Sequence, residues 1–187
     1  MKTSEHRDPT HHLIAALWTL IFAKCFFFEY LIAYYQIPIN SALYIWSLTL
    51  LMATVATVVY FKINATHAWQ RARKALGTVW CFCGSAIGLL IACAFLFDLL
   101  SLQELPTWIG AVLAIGYSIQ FMRVRRWHLV FSATGWYLGA GVMQSATIPL
   151  PLLLFAICLV SFTAAPLLFL YLEFKSAIRR AMNALTP

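Results

Sequence analysis

Charge is scarce in this chain. Lys, Arg, Asp and Glu make up 10% of its 187 residues, where a soluble domain carries about 25%. A water-facing surface cannot be assembled from so few charges. With a hydrophobic fraction of 63%, the solvent is lipid, and lipid obliges each segment to satisfy its own backbone as a helix. Acids are scarcer still, at 6 against 13 Lys and Arg. The resulting net charge of +7 does not indicate a nucleic-acid partner, because the cations gather at the ends of apolar segments. There they orient the chain and touch anionic headgroups.

Basic residues are also missing from every second loop. Six apolar stretches divide the chain: Leu13–Tyr35, Ala42–Phe61, Val79–Leu102, Leu105–Met122, Trp127–Ala146 and Pro149–Phe174. Spanning takes ~20 apolar residues, which five stretches reach and Leu105–Met122 narrowly misses. The loops after the first, third and fifth contain no Lys or Arg. Lys2 and Arg7 precede the first stretch. Lys62, Arg71, Arg73 and Lys74 follow the second, Arg123, Arg125 and Arg126 the fourth, and Lys175, Arg179 and Arg180 the sixth. Positive loops stay inside. The expected fold is therefore an all-α, polytopic bundle of six transmembrane helices in one domain. Both termini are cytoplasmic, and the host bilayer is the plasma (inner) membrane. Leu13–Tyr35 reads as a retained span, since no small-residue cleavage site precedes a soluble region.

Proline is absent from the inner turns and concentrated at the outer ones, at Pro38, Pro106, Pro149 and Pro151, which agrees independently with that topology. The longest connection, Lys62–Gly77, contains Asn64 and Thr66 as helix caps and is compatible with a surface helix. The tail Lys175–Leu185 reads as an amphipathic continuation of the sixth span, with Ile178, Met182 and Leu185 on one face. Trp18, Trp46, Trp80, Trp108, Trp127 and Trp136 lie in or beside the spans, and interfacial anchoring accounts for most of them.

No C-x-x-C, H-E-x-x-H, Walker loop, G-x-S-x-G or metal-ligand pair occurs. The sequence thus offers no catalytic residue and no metal site, and it names no cofactor. All five cysteines, Cys25, Cys81, Cys83, Cys93 and Cys158, fall within spans and read as packing residues. His11, His12, His67 and His128 map to cytoplasmic ends and read as exposed or interfacial. Haem ligation would need two imidazoles facing each other well inside the bundle.

What remains is a small polar set. Lys24 sits ~16 Å along the first span by helix rise, where a cation costs at least ~2.5 kcal/mol. It either snorkels toward the cytoplasm or meets a partner. Glu29 lies ~24 Å along the first span and Asp98 ~28 Å along the third, so both acids belong to the outer half. Glu29 is rotated ~140° from Lys24, which disfavours a pair on one helix. Lys24, Glu29 and Asp98 are the candidate ligand-binding or ion-path residues. G-x-x-x-G occurs twice, as Gly84 and Gly88 in the third span and Gly135 and Gly139 in the fifth, and predicts close helix packing. Pro166 predicts a kink in the sixth span.

Two functions fit. In the first, a solute- or ion-handling bundle, Lys24, Glu29 and Asp98 converge on a polar cavity. In the second, a non-catalytic accessory or structural subunit of a larger membrane complex, no cavity is needed. The small-residue strips then meet membrane-protein subunits or a second copy of the chain.

Overall fold

The computed structural model describes residues 10–38, 40–63, 68–96 and 104–183. Helices dominate them: α1 (Thr10–Tyr34), α2 (Asn40–Ile63), α3 (Ala68–Leu96), α4 (Leu105–Val124), α5 (Trp127–Ser145), α6 (Leu150–Cys158) and α7 (Ala165–Asn183). A π-helical turn, Leu159–Ala164, joins α6 to α7 without a break, so the last two helices form one continuous rod. Three segments are long and apolar enough to cross a membrane: His12–Tyr34, Leu105–Val124 and Leu150–Ala177. Tyr44–Val59 and Val79–Ala94 are shorter apolar segments.

Local sequence explains where the helices stop. At the end of α1, Gln36 takes a left-handed φ of 53° and the Ile37 amide donates to the carbonyl of Ile32 at 3.0 Å. That six-to-one bond is the Schellman closure, and Pro38 follows it as a residue that cannot continue a helix. Pro106 and Pro151 occupy the first turns of α4 and α6, where a missing N–H costs nothing. Helix α4 ends on Arg125, also left-handed at φ 51°, whose amide donates to Phe121 at 2.7 Å.

The expected surface helix in Lys62–Gly77 is not separate. Helix α3 starts at Ala68 and continues unbroken through Gly77. One internal glycine costs only about 1 kcal/mol against Ala, and the flanking Ala, Arg, Lys and Gln are strong helix formers, so nothing ends the helix there. Asn64, Thr66 and His67 lie outside the described residues, as does Leu185 of the tail.

Helices α4 and α5 pair most extensively, and α1 lies along α6, the π turn and α7. Trp136, Met143 and Phe155 are almost completely buried where these helices meet, among Ile109, Tyr117 and Leu159. Helix α2 flanks this core against α1, and α3 flanks it against α4.

Candidate functional site

Helix α1 places its two charged side chains on different faces. Lys24 is exposed, and its ammonium lies 5.6 Å from the centroid of the Phe28 ring, one turn further along the helix. Among the described residues no carboxylate pairs with it. The cation–π contact compensates part of its desolvation. Glu29 is half-buried and turned toward α2, where the Trp46 indole N–H donates to its Oε1 at 2.6 Å. A carboxylate accepting so short a bond is held by charge assistance. Lys24 and Glu29 do not converge. Asp98 lies outside the described residues.

Trp46 was legible only as an interfacial anchor, yet its indole reaches between helices. Trp18 of α1 donates to Thr57 of α2 at 3.0 Å, and Trp136 of α5 donates to Thr163 of the π turn at 3.0 Å. An indole N–H inside an apolar bundle needs an acceptor, and each of these finds one on a neighbouring helix. The rings also form a continuous chain from α1 and α2 into the core. Trp18 meets Phe22 at 6.0 Å, Phe22 meets Trp46 at 6.4 Å, and Trp46 meets Phe26 edge-on at 5.3 Å. Phe26 then meets Phe155 at 4.6 Å, and Phe155 meets Trp136 at 5.4 Å.

The two glycine pairs have different surroundings. A Cβ on Gly139 would stand 2.6 Å from the Cys158 thiol, and one on Gly135 would overlap the Phe162 ring. Helix α5 therefore receives α6 and the π turn through its glycines. A Cβ on Gly84 or Gly88 of α3 would meet nothing within 4 Å among the described residues. Helix α3 packs instead through Cys83, whose sulfur would lie 2.5 Å from a Cβ on Gly116 of α4, and through Trp80, edge-on to Tyr117 at 4.9 Å.

Pro166 follows the π turn. Its ring would strike the carbonyl of Phe162 in a regular α-helix, and the widened turn removes that clash. The Ala165 amide donates to Val160, five residues back.

His128 differs from the expectation of exposure. It is only 6% exposed, because α5 starts at Trp127 and so carries it straight into the bundle. Ser132 follows one turn later on the same face. It is wholly buried, and among the described residues its hydroxyl has no hydrogen-bond partner. Other hydroxyls on the helices, including Thr19, Thr57 and Ser118, donate to the carbonyl four residues back, so Ser132 stands apart. Cys25, Cys83 and Cys158 are buried, while Cys81 is exposed. Among the described residues no cluster of His, Cys, Asp and Glu is disposed to hold a metal.

Chemically, this arrangement offers an outward-facing cation, one carboxylate anchored by an indole, and an apolar aromatic core. Searches against family models, curated proteins and solved structures return no match to this chain.

Proposed function

We propose that this chain is a non-catalytic subunit of a membrane assembly. It crosses the bilayer six times with both termini cytoplasmic, and it engages a partner helix through the outer face of α1. The observation that carries this reading is Lys24. An exposed ammonium near mid-span costs at least ~2.5 kcal/mol, and Phe28 returns only about 0.5–2 kcal/mol. A carboxylate on a partner helix at the same depth would offset the rest. Leu17 and Phe27, also exposed on α1, supply apolar area around that contact. The alternation of Lys and Arg between loops supports the orientation, and the three long apolar segments support membrane insertion.

The solute-handling alternative asks Lys24, Glu29 and Asp98 to share a cavity. The outward turn of Lys24 weighs against it, while the half-buried Glu29 carboxylate weighs for it. One experiment separates the two. The full chain is extracted from its native membrane in mild detergent, and the mass of the complex is measured for wild type, Lys24→Met and Lys24→Arg. The subunit reading expects a mass well above one chain, lost in Lys24→Met and kept in Lys24→Arg. Monomers throughout, together with a proteoliposome flux that Glu29→Gln abolishes, would replace it with the solute-handling reading.

A further inference from the structure

A groove of about 400 Å³ runs between α3 and α4, walled by Val79, Phe82 and Ala86 on one side and Val112, Ile115 and Ile119 on the other. Arg123, in the last turn of α4, closes one end. Arg125 and Arg126 follow it and are exposed. From the geometry we infer that this groove is a binding site for an anionic phospholipid, with one acyl chain between the helices and the phosphate at Arg123.

Length identifies the occupant. From Val112 to Arg123 is eleven helical steps, ~16 Å, which matches one leaflet of a hydrocarbon core ~30 Å thick. A partner helix would run through both leaflets, whereas an acyl chain ends at the midplane. Chemistry changes along the groove at the right place. Among the described residues its lining is apolar up to the last turn of α4, where the Arg123 guanidinium stands at the headgroup end. A planar, always-charged guanidinium binds phosphate oxygens in bidentate fashion, and basic pockets between spans on the cytoplasmic side suit anionic headgroups. Placing the groove in the inner leaflet rests on the proposed orientation. The binding itself does not depend on whether the chain is a subunit.

Native mass spectrometry of the purified full chain tests this, with phosphatidylglycerol and phosphatidylcholine of identical acyl chains as probes. Phosphatidylglycerol is expected to be retained preferentially. Arg123→Ala should weaken its retention about fivefold, the worth of one basic residue at the membrane surface, and Arg123→Lys should keep much of it. Arg179→Ala, on a different helix, should change nothing. Ile115→Trp fills the groove and should reduce retention of both lipids. Equal retention of the two lipids by wild type overturns the site. So does Arg123→Ala behaving as wild type, or an equal effect of Arg179→Ala, which would mean diffuse surface charge only. A dimer that occupies the groove, seen as a doubled mass lost in Ile115→Trp, would overturn it in favour of a second copy.

Discussion

Glycine and cysteine act as matched parts in this bundle. Cys158 enters the space left by Gly139, Cys83 the space left by Gly116, and Phe162 the space left by Gly135. Each pairing lets two helix axes approach closely, and in lipid that contact has to come from van der Waals packing, since the solvent is as apolar as the side chains. Gly139→Leu forces a branched side chain into the Cys158 sulfur and should cost about 1–3 kcal/mol as overpacking. Gly88→Leu meets no described residue within 4 Å of its Cβ and should leave the thermal unfolding of the detergent-solubilised monomer unchanged. Thermal scans of both variants decide it, and an equal loss in each would place Gly88 in a contact inside the bundle. The sequence makes the glycine spacing visible. It does not show which neighbour fills each gap, because that depends on how one helix is rotated against another. Glu29 makes the same point. Its need for a partner follows from depth alone, but Trp46 is seventeen positions away on another helix, and no periodicity within α1 points to it. Arg125 shows a different compromise. Glycine would fill its left-handed position with less strain, yet an arginine there adds to the positive turn expected to set orientation.

At the level of elements, the π turn shows what a proline does when the neighbouring helix constrains it. A disturbance of regular α-helix at Pro166 is legible from the ring and the missing N–H. The widening to five-residue bonds is not, because it fixes the phase of Phe162 and Thr163 toward α5. Phe162 has to cover Gly135, and Thr163 has to accept the Trp136 indole. A regular helix would place the residues beyond the turn about 100° out of phase. Thr163→Val removes the acceptor and should cost about 0.6–1.7 kcal/mol, the range of hydrogen bonds between membrane helices. Pro166→Ala removes the clash that favours the π form. If the proline sets this geometry, Thr163→Val costs nothing in the Pro166→Ala background, because the bond is already broken. Chemical unfolding of the four proteins in the cycle measures the coupling. Additive losses would mean that packing on α5 alone maintains the π turn.

On the scale of the whole molecule, the helices differ in how deeply they are engaged. Helices α4, α5 and the continuous rod of α6 and α7 form the core with α1, while among the described residues α2 packs chiefly on α1 and α3 chiefly on α4. The hydropathy boundaries were legible to within a few residues at α1, α2, α4 and α5. The run of the last helix past its apolar stretch toward Asn183 agrees with the continuation read from the tail, whereas the unbroken run of α3 from Ala68 was not legible, because a hydropathy boundary marks where apolar character ends and not where hydrogen bonding ends. Orientation is the remaining whole-molecule property, and the two ends of α5 offer a test of it. Its 19 residues span ~29 Å at 1.5 Å each, close to the ~30 Å hydrocarbon thickness. Exposed Arg126 lies at one end and exposed Thr147 just beyond the other. The three arginines of the α4–α5 turn should hold that end in the cytoplasm. In intact cells, a membrane-impermeant maleimide should therefore label Thr147→Cys and leave Arg126→Cys unmodified until the membrane is permeabilised. Both sites are exposed, so their difference reports sidedness and not burial. Labelling of Arg126→Cys with protection of Thr147→Cys would invert the molecule, place the α3–α4 groove in the outer leaflet, and remove the physical basis for reading its arginine turn as an inside anchor.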